Sequence, residues 1–329
     1  MRVLITGGAG FIGAHLAEVL LAEGIRVDLV DNFSRGRRDA DLGALLAHPD
    51  IGCIARDLLT PGCLDDLGDG YDLIVHLAAI VGVANVAKQP FAVLRNNLEM
   101  LTGILDFAKR QRRLCRLVFA STSEVHAGSL RHLTLPVPTP ERAPIALPDL
   151  AEARSSYLLS KLYGEALCRH SGLPITIVRP YNIYGPRMGM AHVIPELFRR
   201  AFEASAGGRL TAYSPDHRRA FCYVRDAVEM IKRLALSQEA VGEVFNVGNQ
   251  DEPITIRDLA QRVVETVGKS LTVEAGSETP GSPSRRCPDM TRTLAVTDFA
   301  PEVGLGEGLR RTFLWYRVNV LVPEGMAAS

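Results

Sequence analysis

Apolar residues follow two rhythms over the first 180 residues. Short runs, apolar at nearly every position, fall at 2–6 (RVLIT), 25–30 (IRVDLV), 51–55 (IGCIA), 71–76 (YDLIVH), 115–120 (CRLVFA) and 173–178 (LPITIV), most of them bounded by Gly, Pro or Asp. Between them lie stretches whose apolar positions recur every three or four residues, at roughly 11–23, 90–112 and 155–171, with weaker ones near 38–47 and 61–68. A strand with one wet face alternates apolar and polar side chains, so runs without alternation mark strands covered on both faces. The intervening helices are the covering layers. This strand–helix alternation predicts right-handed crossovers and an α/β fold, a doubly wound parallel sheet.

Past Pro180 the texture changes. Loops rich in Gly, Pro and Arg at 185–191, 205–220 and 276–290 alternate with short helical patterns near 192–204, 224–237 and 255–268. This predicts a sheet domain over 1–180, a smaller C-terminal α/β lobe over 181–319 with discontinuous contributions, and a flexible tail over 320–329. Between His126 and Ser156, Pro136, Pro138, Pro140, Pro144 and Pro148 are expected to hold a long loop extended rather than helical. The chain has no internal repeat.

Composition narrows the partners. Thirty-seven basic residues balance 37 acidic ones, so no charge excess exists to grip nucleic acid or acidic lipid. No apolar run approaches the roughly 18 residues that span a bilayer, and the chain starts on a strand without a signal sequence, so a cytoplasmic protein is expected. The six cysteines are scattered without a CxxC pair and the eight histidines form no HExxH, so no metal site is expected.

Residues 6–13 spell Thr-Gly-Gly-Ala-Gly-Phe-Ile-Gly between the first strand and the first helix. Glycines there permit a tight turn and close approach of backbone to a pyrophosphate, and the helix N-terminus offers free N–H groups to the anion. Asp31 closes the next strand, where a carboxylate accepts hydrogen bonds from the adenosine ribose diol and repels a 2′-phosphate. The expectation is a Rossmann fold that binds NAD in preference to NADP, with Arg35, Arg37 and Arg38 nearby as the counter-indication.

After the fifth run comes Ser121-Thr122-Ser123-Glu124, and Tyr157 and Lys161 stand four apart at the start of a helical pattern. That spacing places them on one helix face. A lysine ammonium beside a phenol would lower the tyrosine pKa, letting Tyr157 take a proton from a substrate hydroxyl that Thr122 also hydrogen-bonds.

These motifs, taken in order, resemble the extended short-chain dehydrogenase/reductases of the nucleotide-sugar epimerase/dehydratase family, from about residue 2 to 318. The resemblance continues through Arg56-Asp57-Leu58, His76-Leu77-Ala78-Ala79, Asn97, Arg179-Pro180-Tyr181-Asn182 and Arg219-Ala220-Phe221. It implies that Gly7, Gly10, Phe11, Ile12, Gly13, Asp31, Asn32, Ser34, Arg35, Asp57, Leu58, Leu77, Ala78, Ala79, Asn97, Ser121, Tyr157, Lys161 and Tyr181 serve the cofactor. It assigns Val81, Asn182, Arg187, Val193, Tyr213, Arg219 and Arg286 to a nucleotide-diphosphate sugar, a UDP-sugar foremost, and Thr122, Ser123, Glu124, Tyr157 and Lys161 to catalysis.

Family chemistry starts by oxidising the sugar at C4, and the fate of the resulting keto sugar decides the enzyme. The main expectation is a UDP-sugar C4 epimerase. The alternative is a decarboxylase of the UDP-glucuronate type or a 4,6-dehydratase using Glu124, since Thr-Ser-Glu and Arg286-Cys287-Pro288-Asp289 resemble such enzymes. A reading of another class is an NAD-binding sensor or scaffold. His126 departs from the family's usual Tyr and could be an acid/base or a packing anchor. The stretches 90–112 and 155–171 could pair with their copies in a homodimer.

Overall fold

The computed structural model describes residues 1–279 and 282–322. Its centre is a seven-stranded sheet. Six strands are β1 Arg2–Thr6, β2 Arg26–Asp31, β3 Ile51–Ala55, β4 Leu73–His76, β5 Arg116–Ala120 and β6 Ile175–Pro180. The order across the sheet is Val244–Val247, β6, β5, β4, β1, β2, β3, with every pair parallel. Successive side chains on a strand leave opposite faces, so Val3 and Ile5 join one core cluster and Leu4 the other. That is why these runs carry no polar alternation.

Helices α1 Phe11–Ala22, α2 Ala40–Leu46, α3 Val83–Lys88, α4 Pro90–Lys109, α5 Ala127–His132 and α6 Ser155–Arg169 accompany the sheet. α4 and α6 pack on each other, and α1 packs against α8 Val224–Leu236, which follows α7 Val193–Glu203 and itself lies on β5 and β6, so a helix expected in the second lobe covers the sheet instead. The second lobe adds short strand pairs. In one of these small sheets Arg218–Arg219 lies between Ile254–Thr255 and Arg285–Arg286.

Three local expectations are corrected. The segment 61–68 forms only a single 3-10 turn, Asp65–Leu67, because Gly62 and Gly68 take positive φ on either side of it. The 126–156 loop opens with α5 rather than running extended. Gly128 lets that helix dock on the loop's own later part, where a Cβ would come within 2.1 Å of the Ala146 carbonyl, and the Ser129 hydroxyl accepts the Ala146 N–H at 2.6 Å. The seventh strand, Val244–Val247, returns from the second lobe to pair with β6, so the sheet is not complete within 1–180. Arg317–Leu321 continues as a short helical stretch, and the expected flexible tail lies outside the described residues from 323 onward.

Strand order reverses between β1 and β4, and a crevice opens at the C-terminal ends of the strands, where open α/β sheets take their ligands.

Candidate active site

The crevice is a cleft of about 750 Å³ running from the glycine turn to the second lobe. At the turn, Gly7 takes φ +69°, and a Cβ there would stand 2.8 Å from the Ala78 amide nitrogen. A Cβ on Gly13 would stand 2.5 Å from the Gly7 carbonyl oxygen. Only glycine lets the turn, the α1 N-terminus and the chain after β4 approach this closely. Asp31 is fixed by the Ala9 N–H on one oxygen (3.0 Å) and the Phe33 N–H on the other (2.7 Å). Gly10, Phe11 and Ile12 line this end with Asn32, Ser34, Arg35, Asp57 and Leu58, and Leu77, Ala78, Ala79 and Val81 form one wall. A backbone cradle at a helix N-terminus, closed by a carboxylate one strand away, suits a dinucleotide with a free ribose diol.

Asn97 and Tyr181 stand one layer back. The Asn97 amide accepts the Ile80 N–H (2.7 Å) and donates to the Ile80 carbonyl (3.2 Å) and Ser160 Oγ (3.1 Å), so it shapes the wall without lining the cleft. Tyr181 is fully buried, its hydroxyl 3.4 Å from His126 Nδ1.

Thr122, Ser123, Glu124, Tyr157 and Lys161 all line the cleft. The phenol of Tyr157 stands beside Thr122. Burial pushes that phenol up to about 12 and the Glu124 carboxylate adds to the rise, against the Thr122 hydroxyl and the Arg35 charge. The Lys161 ammonium donates to the Ala120 carbonyl at 2.7 Å. Burial also lowers Lys161 to about 8, with Cys168 and Glu165 opposing.

Behind Ser121 lies a buried network. Ser121 Oγ donates to Glu165 Oε1 at 2.5 Å, and Glu165 takes two bonds from Arg179, at 2.8 and 2.7 Å. Arg179 also donates to the Glu141 carbonyl (2.8 Å) and stands 3.4 Å from His126 Nε2. His126 is fully buried and outside the cleft, and burial together with Arg179 lowers it to about 4. Its ring nitrogens face Tyr181 and Arg179.

At the second-lobe end, Arg286 Nη1 donates to Glu124 Oε1 at 2.8 Å, and Arg154 Nη2 stands 3.7 Å from Oε2. Burial alone would raise the Glu124 carboxyl, but Arg286 and Arg154, with Arg219 farther off, outweigh it and hold it below its ordinary value. Asn182 lines the cleft at φ +43°, its amide donating to the Ala220 carbonyl at 2.8 Å. Arg187 lines it too, but its Nη2 donates to the Ala9 and Arg37 carbonyls at 3.2 Å and its Nε faces Asp39 at 3.2 Å. It thereby ties the second lobe to the glycine turn.

Arg219 is not on the cleft wall. It donates to Ser282 Oγ (2.8 Å) and to the Pro283 (2.6 Å) and Arg218 (2.8 Å) carbonyls, fixing the strand that delivers Arg286. Val193 and Tyr213 also lie off the cleft. Val193 packs on the main core, and Tyr213 is half-exposed under the Arg200 guanidinium, 5.4 Å from its ring centre. Sequence reasoning missed Arg154; its one signal was a position three residues before Tyr157. No group of three or more potential metal ligands occurs among the described residues, and no described helix is long and apolar enough to cross a membrane.

Residues 3–248 match the model of the NAD dependent epimerase/dehydratase family. The chain belongs to that family. It is an enzyme family, which sets aside the sensor or scaffold reading, and NAD is its cofactor. Family members with similar sequences include UDP-N-acetyl-alpha-D-glucosaminuronate decarboxylase from Bacillus cytotoxicus, 34% identical over 96% of this chain and 98% of the relative. UDP-glucuronic acid decarboxylase 5 from Arabidopsis thaliana is 33% identical over 94% of this chain and 87% of the relative. A solved structure, UDP-glucuronic acid 4-epimerase from Bacillus cereus in complex with UDP-glucuronic acid and NAD, superposes with a TM-score of 0.82 at 27% identity, covering 96% of this chain and 99% of that one. These sequence relatives carry decarboxylase names, which favours the alternative over the epimerase expectation.

Proposed function

We propose that this protein decarboxylates a nucleotide hexuronate, a UDP-hexuronate foremost, through a transient 4-keto sugar. The observation that carries the reading is Glu124, a cleft carboxylate clamped by Arg286 at 2.8 Å beside Tyr157 and Thr122. Exchange of a proton and a hydride at C4 alone calls only for Thr122, Tyr157 and Lys161, and would leave the Glu124–Arg286 pair without a task. The decarboxylase relatives support the same choice.

In this reading Tyr157, with Thr122 beside it, accepts the proton of the C4 hydroxyl. The glycine turn and Asp31 would hold NAD, which would supply reversible hydride acceptance at C4 and so would not be consumed. The oxidised sugar is a β-keto acid. Its C5–C6 bond breaks with the electron pair moving onto the C4 oxygen, where Thr122 and Tyr157 hydrogen-bond the developing charge. CO2 leaves, and C5 takes up a proton. Glu124 is the carboxylate placed to act on C5 and C6.

Incubation with UDP-glucuronate and with UDP-N-acetylglucosaminuronate, followed by product NMR, should give a UDP-pentose or its acetamido counterpart with one CO2 per turnover. A C4 epimer that keeps its carboxylate sinks the proposal. Glu124→Gln should slow CO2 release by on the order of tenfold or more, about 1.4 kcal/mol of barrier, whereas an epimerase would keep most of its activity.

We also infer a homodimer through the outer faces of α4 and α6. Phe91 is 76% exposed at the start of α4, and Tyr163 (57%) and Leu167 (37%) are exposed one turn apart on α6, apolar side chains that a second copy would cover. Sedimentation equilibrium should give twice the chain mass, and Tyr163→Glu with Leu167→Glu should give one. A monomeric wild type overturns the inference.

A further inference from the structure

Arg187 holds a backbone conformation that side chains rarely adopt. It stands three residues past the short strand Ile183–Tyr184, which pairs with Cys222–Tyr223, and its φ is +68°. The carbonyls on either side are pinned, Pro186 facing His15 Nε2 at 3.1 Å and Met188 accepting from the Tyr316 hydroxyl. A residue kept in this region is over-determined by its surroundings, and such positions cluster at functional sites. Here the conformation delivers a buried side chain, 5% exposed, to the glycine-turn end of the cleft.

That end is walled by an irregular segment. Between β2 and α2, residues 32–39 form neither helix nor strand, and they bring Asn32, Ser34 and Arg35 to the cleft. Arg187 Nη2 donates to the Arg37 carbonyl of this segment and to the Ala9 carbonyl, and Nε faces Asp39 at 3.2 Å. The Ala9 residue is gripped at both ends, its N–H by Asp31 and its carbonyl by Arg187. Asp39 in turn caps α2, accepting the Leu42 N–H at 2.9 Å. One guanidinium therefore joins the glycine turn, the segment past Asp31 and the start of α2.

We propose that Arg187 is a positioning residue for the cofactor: it latches residues 32–39 against the glycine turn, over the adenosine end of bound NAD, and so slows NAD release. The inference rests on the family's NAD dependence and not on the fate of the keto sugar, so failure of the decarboxylase reading leaves it standing. NAD leaves the glycine turn once the wall carrying Asn32, Ser34 and Arg35 swings away. That movement has to break the contacts of Arg187 with Arg37 and Asp39. Entry past an open wall does not, so the latch acts on the dissociation rate. A cofactor reduced and reoxidised within one turnover has to outlast that turnover, which a slow release secures.

The test is the rate of NADH release, followed by stopped-flow fluorescence as NADH-loaded protein is mixed with excess NAD. Trp315, the one tryptophan of the chain, bonds Asp41 beside this segment and serves as the energy-transfer donor. Arg187→Gly removes the latch and suits the positive φ. Release should quicken at least about tenfold, the magnitude of one lost charge-assisted bond, with association within about threefold of wild type. Asp39→Asn keeps a good helix cap and removes only the charge facing Arg187, so it should also quicken release, by about threefold or more. Were Arg187 instead to act on the pyrophosphate directly, losing the competing Asp39 charge would slow release. Unchanged release in Arg187→Gly, or unchanged or slower release in Asp39→Asn, overturns the assignment. Far-UV circular dichroism of the NADH-free variants is the folding control, and if Arg187→Gly fails it, Asp39→Asn decides alone.

Discussion

Tyr157→Phe is expected to lower kcat by about 10²- to 10⁴-fold, the range for loss of a positioned proton-transfer group. The substitution removes one oxygen and keeps the ring. Tyr157 lines the cleft on α6 and its hydroxyl meets Thr122, so phenylalanine leaves the helix and the glycine turn as they are. NAD affinity should therefore change little while turnover collapses. The phenol sits near 12 in the protein alone because burial and Glu124 both oppose its ionisation. The check is kcat on UDP-glucuronate beside NAD affinity by titration. A variant that keeps more than about a tenth of the wild-type rate would show that Tyr157 is not the proton acceptor.

Glu165→Leu is expected to destabilise the fold by about 3–5 kcal/mol, the cost of leaving one partner of a buried ion pair alone. Glu165 and Arg179 are 5% and 4% exposed and share two hydrogen bonds, so the stranded guanidinium has no water to turn to. The same carboxylate holds Ser121 at the end of β5, next to the Ala120 carbonyl that takes Lys161. The damage should therefore reach the active site as well. Urea denaturation reads the loss, and adding Arg179→Met should recover most of it, since removing both charges is far cheaper than removing one. A loss below about 1 kcal/mol would mean that water enters the site and the pair is not sealed.

Much of this architecture was legible in the chain itself, for a local reason. Strands buried on both faces must be apolar throughout, so RVLIT and its counterparts could be picked out one by one. A turn that needs Gly7 and Gly13 for want of room, and a carboxylate ending the second strand, are fixed by a few neighbouring residues. The Tyr157–Lys161 spacing is likewise a property of one helix. It set the two on one face, while the acceptor that captured the ammonium, Ala120, came from a strand far back in the sequence.

What depended on distant segments meeting was not legible. Val244–Val247 is a strand because β6 offers an open edge, and four buried residues carry too little pattern to announce that. Arg187, Arg219 and Asn97 carry the side chains expected of ligand-binding positions, but their donors end on the protein's own groups, and only the packing of the second lobe and the wall segment decided so. The sequence by itself determined six of the seven strands of the sheet, the cofactor turn and the Thr122, Tyr157 and Lys161 set. The tertiary structure decided which arginines reach Glu124, because Arg154 and Arg286 belong to different lobes and a carboxylate takes its partners from whatever the fold brings within a few ångströms.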